Sequence, residues 1–456
     1  MSSYLPYQTQ DAKRGKGRPR NTETAAQSLA AILNLVRDSG SDTRQEIERK
    51  SELGRAVVSD RLATLSELSL IDESKLGTTT GGRAPRLVSF NSNAACVLVA
   101  TLDHTALGVG LANLSGKLLT EHHEAFDMTN SAEATMNRLE TLFEWQRERH
   151  AYPVWGICIS VPSPVQAAFD DPYLSATPPL LPAWEGFPFV EKLTARFGAP
   201  VWLRSSVETM TMGELSAGGG SAIHNMLFVK VGKRIGAGMV LNGQLYRGAQ
   251  GTAGLIGNLP IRTKDRTAQL EAHAGSEMIA TEGWAAATDG RSPILAEILK
   301  RSGEISAIDV GQAAQTGDSV SMEIMSRSGR LIGQVVAALA NMLNPSLIVL
   351  GGSAAQTNDI LLAAVREAVY RDSHPLITRD LRISASKLGS SAGLVGAASV
   401  VVEALFDAQH LRNWVTGGSP TIAPDFRHVL ARAQKMNSFN NIVDEPIPAP
   451  PTSIYR

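Results

Sequence analysis

Cysteine is nearly absent from this chain: Cys96 and Cys158 are the only two in 456 residues. Two cysteines cannot build a disulfide framework or a multi-cysteine zinc site. Each lies in an apolar, strand-like run, Cys96-Val97-Leu98-Val99-Ala100 and Ile157-Cys158-Ile159, so both are expected to be buried free thiols. An apolar leader segment is also lacking, as is any run of about 18 apolar residues without charge. No membrane-spanning helix is therefore expected, and a cytoplasmic protein is the default. A strong charge of either sign is missing too, since the formal total is −1. The charge is unevenly spread: from Met1 to Val88, 14 Lys+Arg stand against 11 Asp+Glu. A modest basic excess at that end fits a nucleic-acid partner. The length suggests about three domains, at roughly 150 residues each.

Residues 1–24 show no hydrophobic periodicity, which predicts a flexible arm. Within it, Lys13-Arg14-Gly15-Lys16-Gly17-Arg18-Pro19-Arg20 carries five cations on a stretch that Gly and Pro keep out of a helix. Its Gly-Arg-Pro-Arg core is similar to an AT-hook, an extended segment that enters the narrow minor groove of A·T-rich DNA. The plainer alternative is a solvated tail that touches phosphates without choosing a sequence.

A helical stripe follows, with Leu29, Ile32, Leu33 and Val36 at i, i+3, i+4 and i+7. Asn21 or Thr22 can start this helix and Gly40 can end it. A second helix is expected from Thr43, since Thr43 with Glu46 fits a capping box. After a turn near Gly54, a third helix spans Arg55 to Leu65, with Val58, Leu62 and Leu65 as its core face. Arg55, Ala56, Ser59, Asp60 and Arg61 are then expected to face outwards. Small and polar groups at the start of such a helix suit entry into the major groove, where base edges are read. Gly81-Gly82-Arg83 reads as a hairpin tip, a wing whose arginine can reach the DNA backbone or minor groove. The candidate DNA contacts are thus Arg18, Arg20, Arg44, Arg55, Ala56, Ser59, Arg61, Gly82 and Arg83. A three-helix bundle with no DNA role is the alternative.

Behind this winged helix-turn-helix lies a series of motifs. They include Gly156-Ile157-Cys158-Ile159-Ser160-Val161-Pro162, Gly232-Lys233-Arg234-Ile235-Gly236-Ala237-Gly238 and Asn242-Gly243-Gln244. Asn344-Pro345-Ser346 running to Gly351-Gly352, and Gly393-Leu394-Val395-Gly396, complete the set. In order and spacing the chain from about Ala26 to Asp407 resembles the ROK family of sugar kinases and transcriptional repressors. The resemblance implies an actin-like fold of two lobes with a ligand cleft. Composition alone gives only α/β, from strand-like runs alternating with helical ones such as Met322 to Leu343.

The resemblance also shows what has changed. ROK kinases take their general base from the Asp of an Asn-Asp pair. Here Gly213-Glu214 fixes the register and puts Ser205 and Ser206 at those positions. A serine hydroxyl is too weakly basic to replace a carboxylate, and that step is typically worth about 10²- to 10⁴-fold. Glu208, two residues on, is expected to point elsewhere. The first phosphate loop reads Leu102-Asp103-His104-Thr105 in place of an Asp followed by Gly-Gly-Thr, so side chains crowd the phosphate and Asp103 repels it. The second loop has Lys233-Arg234 for Thr-Gly, two cations that can hold some other anion. The Gly-Glu-Ile-Gly-His sugar and zinc motif becomes Gly254-Leu255-Ile256-Gly257-Asn258, its loop has no cysteine, and Glu271 closes the stretch.

The reading is therefore an α/β protein with an N-terminal winged helix-turn-helix followed by an actin-like two-lobed ROK domain. The boundaries expected are an arm at 1–24, a DNA-binding domain at 25–90, a ROK domain at 91–407 and an extension at 408–456 with a Pro-rich, disordered end. The function expected is a DNA-binding regulator, a repressor in most such proteins, without kinase activity, metal or cofactor. Its partners would be double-stranded DNA, a second or further copy of itself, and a sugar-like effector near Ser205, Ser206, Asn258 and Glu271. The alternative is an ATP-dependent sugar kinase with a DNA-binding appendage.

Overall fold

The computed structural model describes residues 22–77, 84–127, 131–166, 184–220, 222–262, 267–356 and 359–443. Arg18 and Arg20 of the arm, Gly82 and Arg83 of the wing, and the Pro-rich end lie outside them. The chain divides into two compact units: Met1–Phe90 with Phe406–Thr416, and Asn91–Leu405 with Gly417–Arg456.

The first unit runs α1 (Thr22–Ser39), β1 (Asp42–Thr43), α2 (Arg44–Ser51), α3 (Arg55–Glu67), β2 (Ile71–Asp72) and β3 (Leu87–Phe90). The predicted stripe of α1 is buried, with Leu29 at 4 % and Ile32, Leu33 and Val36 at 0 % exposure. Three short antiparallel strands in the order β1-β3-β2 close the unit. A bridge between Leu76 and Arg86 extends the β2–β3 ribbon towards the wing.

The second unit contains two five-stranded sheets of the same design. In the first, β4 (Cys96–Leu102), β5 (Ala106–Asn113) and β6 (Leu118–Ala125) form an antiparallel meander. After α4 (Ala132–Glu148), β7 (Val154–Val161) adds in parallel on the other side of β4. After α5 (Phe189–Phe197), β8 (Val201–Ser205) adds in parallel to β7, giving the order β6-β5-β4-β7-β8. Helix α6 (Ser206–Ser216) then leads to the second sheet.

There β9 (Met226–Val231), β10 (Ile235–Leu241) and β11 (Gln244–Tyr246) repeat the meander. A hairpin of β12 (Pro260–Arg262) and β13 (Thr267–Gln269) follows, then five helices: α7 (Leu270–Ala274), α8 (Ser276–Thr288), α9 (Pro293–Ser302), α10 (Ala307–Gln315) and α11 (Ser319–Leu343). β14 (Leu347–Gly351), α12 (Asp359–Asp372), α13 (Pro375–Thr378) and β15 (Arg382–Ala385) complete the order β11-β10-β9-β14-β15. This duplication is the actin-like, two-lobed α/β architecture. The central strands are buried on both faces, which is why they read as continuous apolar runs. Cys96 and Cys158 lie inside them, and burial pushes both thiols up to about 12.

Helix α14 (Ala392–Phe406) closes the second unit. Gly389–Phe406 is the one stretch among the described residues long and apolar enough to cross a membrane, but 56 % of it is buried inside the protein. Leu394, Ala397, Ala398 and Val401 are all at 0 % exposure, as in a core helix. It crosses α6 at bare backbone: a Cβ on Gly396 would sit 1.6 Å from the Thr209 carbonyl oxygen, and one on Gly213 would sit 2.1 Å from that of Ala392.

The chain then re-enters the first unit, dividing what the sequence reading treats as one extension. Phe406 meets Phe90 edge-on at 5.9 Å, and the Arg37 guanidinium lies 5.0 Å from the same ring. Helix α15 (Ala408–Trp414) packs along α1 and buries Leu411 and Trp414 completely. Finally α16 (Pro424–Val443) packs on α5 in the second unit.

Candidate functional site

Two places carry candidate function, one in each unit. In the first unit, the capping box at α2 forms as the sequence predicts. The Thr43 amide donates to Glu46 Oε2 at 2.7 Å, and the Glu46 amide donates to Thr43 Oγ1 at 3.3 Å. The bonds that the Thr43 amide and hydroxyl donate to the Glu46 carboxylate hold it below its ordinary value. Glu52, in the left-handed region at φ 54°, ends α2 and turns the chain into α3.

Val58, Leu62 and Leu65 of α3 point inward at 0–1 % exposure. Arg55, Ala56, Ser59 and Asp60 are exposed, and so is Val57, which sequence reasoning passed over. Arg61 departs from the outward orientation expected of it. Its side chain is 21 % exposed, its Nε donates to Ser28 Oγ at 2.9 Å, and it pairs with Asp60 at 2.6 Å. The cause is geometric: Arg61 precedes Leu62 on the flank of α3 that packs towards α1. Arg44 is half-exposed and grips both oxygens of Glu73 at 2.8 Å.

In the second unit, a cavity of about 410 Å³ opens beside the start of α6. It is lined by all four residues expected at an effector site, Ser205, Ser206, Asn258 and Glu271. The two serines have different tasks. Ser205 is the N-cap of α6: its hydroxyl accepts from the Glu208 amide at 3.3 Å, while Glu208 Oε2 accepts from the Ser205 amide at 3.0 Å. Glu208 is thereby turned into a cap, and it also pairs with Arg247. It does not line the cavity and offers no substitute base there. Burial pushes its carboxyl up, against the Ser205 bonds and the Arg204 charge.

Ser206 accepts a hydrogen bond from Lys230 Nζ at 2.8 Å. Lys230 is in β9, its side chain is 6 % exposed, and its ammonium also lies 3.4 Å from Asp103. Sequence reasoning missed Lys230, though a signal existed: it is the lone charge in the buried strand Met226–Val231. The contact also changes the reading of Asp103. Burial opposes its ionisation, but Lys230 and the His104 amide outweigh that and hold the carboxyl below its ordinary value. Its charge is thus balanced by Lys230 rather than left to repel. His104 lines the cavity with a buried Nε2 that has no partner among the described residues. Burial, with Lys233, Lys230 and Arg234 and against the Asp103 charge, holds the imidazole below its ordinary value, which favours its neutral form.

Elsewhere in the lining Arg234 pairs with Glu271. Lys233 turns away towards Glu277, at 3.7 Å. Glu271 fits tightly because Gly257 has no side chain; a Cβ there would lie 2.6 Å from Glu271 Oε2. Gly254 is required as well, with φ at +92° and a Cβ position 1.8 Å from the Ala237 carbonyl oxygen.

The family model described as the ROK family matches residues 102–404. The chain belongs to the ROK family. A xylose repressor from Caldicellulosiruptor bescii is 23 % identical over 387 residues, covering 81 % of this chain and 94 % of that protein. The crystal structure of a ROK family transcriptional regulator, a homologue of the Escherichia coli MLC protein, superposes with a TM-score of 0.72 at 23 % identity, covering 87 % of this chain and 100 % of that one. A ROK family glucokinase from Streptomyces griseus, solved with glucose and AMPPNP, superposes with a TM-score of 0.58 at 21 % identity, covering 67 % of this chain and 99 % of its own. The shared ROK fold is therefore secure, and the match to the regulator extends further along this chain than the match to the kinase.

Proposed function

We propose that the protein is a DNA-binding transcriptional regulator, a repressor, whose ROK domain binds a small molecule but does not phosphorylate it. The observation that carries this reading is Ser206. Where the ROK kinases' base would stand there is a hydroxyl, already hydrogen-bonded by a buried lysine. A hydroxyl in that position cannot take a proton from a sugar at neutral pH. The xylose repressor and the regulator structure, which match most of this chain, support the same reading.

In this reading residues 25–90 bind duplex DNA, and Arg55, Ala56 and Ser59 at the start of α3 meet base edges in the major groove. Arg44 and the wing residues Gly82 and Arg83 add backbone contacts, and Arg18 and Arg20 add the arm. Arg61 holds α3 against α1. The protein acts in the cytoplasm as a homodimer or homotetramer, because paired half-sites need paired recognition helices. An effector in the cavity alters DNA affinity only by binding one arrangement of the protein better than the other.

Selection of bound DNA from random sequence, followed by mobility-shift titration, tests the reading. A recovered consensus site should lose affinity with Arg55→Ala, with a salt slope shallower by about one if Arg55 meets a phosphate. A coupled ATP assay over a panel of hexoses should show no turnover. Turnover abolished by Ser206→Ala would instead establish the kinase reading, and failure to select any DNA would remove the regulator reading.

A further inference from the structure

The polar groups that line the cavity bear on what fits. We infer that the ligand is a monoanionic sugar acid, an aldonate or uronate, held with its carboxylate on Lys230 and its hydroxyls towards Asn258, Glu271 and Thr252. This rests on the reading of the cavity as an effector site and names the chemical class of the effector.

The cavity lining around Ser206 is rich in donors. The Lys230 ammonium has three hydrogens; one goes to Ser206, and Asp103 takes part of the charge from 3.4 Å. Asp103 is a weak competitor for that ammonium. Its carboxylate is 43 % exposed, already accepts from the His104 amide at 2.8 Å, and does not line the cavity. A buried ammonium whose one counter-ion among the described residues is a partly exposed carboxylate outside the cavity can take a second anionic acceptor there. The neutral His104 imidazole supplies an unpartnered, buried Nε2 beside it. Ser206 and Val207, the first residues of α6, also line the cavity and set the positive end of the helix dipole there.

The wall formed by Arg234 and Glu271 is already balanced in charge. Arg234 and Glu271 pair with each other, so that wall offers hydrogen bonds without net charge, as hydroxyls require. The stoichiometry selects among anions. Arg234 is engaged by Glu271 and Lys233 is directed at Glu277, whereas Asp103, the partner of Lys230, lies outside the cavity lining, so among the described residues Lys230 is the lining cation best placed to meet a ligand. One such ammonium suits a single carboxylate better than a phosphate dianion. A volume of about 410 Å³ suits a six-carbon sugar acid.

Titration calorimetry of the full chain against gluconate, glucuronate, glucose, glucose 6-phosphate and inorganic phosphate tests the inference. At least one sugar acid should bind, more than tenfold tighter than glucose and than either phosphate. Lys230→Met should lower its affinity at least tenfold, and Lys230→Arg should restore part of it. A melting curve of each variant separates lost binding from lost folding. Equal or tighter binding of glucose overturns the charge assignment and leaves the effector reading standing. Tighter binding of a phosphate-bearing ligand overturns the monoanion assignment alone. No heat with any of the five overturns the inference and counts against the cavity as an effector site.

Discussion

Gly396→Ala should destabilise the second unit, although alanine is the better helix former. The added Cβ would lie 1.6 Å from the Thr209 carbonyl oxygen, 2.6 Å from its carbon and 2.7 Å from the Gly213 nitrogen. All three are backbone atoms, so no side chain can swing aside. Restoring an ordinary contact of about 3.5 Å requires α6 and α14 to part locally by about 2 Å. Overpacking of this kind costs about 3 kcal/mol at the upper end of its usual range. Replacing a helical glycine by alanine returns about 1 kcal/mol. The net loss is about 2 kcal/mol, a fall of several degrees in the melting temperature of a unit this size. Thermal unfolding followed by calorimetry reads it directly. Gly213→Ala should behave alike, since its Cβ would meet the Ala392 carbonyl oxygen at 2.1 Å. The double variant should cost less than the sum, because one parting of the helices relieves both clashes. An unchanged or raised melting temperature for either single variant would refute the close crossing.

Three further outcomes follow from the packing and the charges. Leu411→Ala, at a side chain with no exposure, should cost the first unit about 2–5 kcal/mol and weaken DNA binding without altering the cavity. Glu124, gripped by both Arg138 nitrogens and by His122, has its carboxyl lowered to about 2 from an ordinary 4.5. Its stabilisation is fully present above pH 4.5 and is lost as the pH falls towards 2. The melting-temperature gap between wild type and Glu124→Gln should therefore be widest near pH 7 and close through that window; a gap independent of pH would refute the pairing. Cys96 and Cys158 should resist a thiol reagent at pH 8 until the protein unfolds, since both are buried and ionise only near pH 12.

Much of the first unit could be read from local chemistry, because its signals are short-range. The Thr43–Glu46 capping box and the Val58, Leu62 and Leu65 face each depend on residues within two helical turns. The orientation of Arg61 was not legible, because its partner Ser28 is 33 positions away on another helix. The cavity was partly legible. The Gly213-Glu214 register pointed to Ser205 and Ser206, and both line the cavity with Asn258 and its neighbouring glycines. Lys230 was lost among apolar neighbours, since a period-two strand pattern says which residues are buried but not what a buried charge will meet. The pairing of Arg234 with Glu271 joins a loop to a helix and leaves no local signature. The repeated sheet order was invisible for the same reason: strand pairing is set by long-range contacts, and the two halves need share only topology.

The return of residues 406–416 to the first unit has a consequence for the order in which the molecule is made. The segment that binds DNA leaves the ribosome first, but Phe406, Leu411 and Trp414 of its core come only after both sheets of the second unit have been synthesised. Domains generally fold as their residues emerge, the N-terminal ones first. Here the N-terminal unit must wait with part of the α1 surface uncovered. A nascent chain, or a fragment cleaved between the units, carries the recognition helix without the residues that finish its support. Tight DNA binding is thus expected only of molecules that already possess the second unit.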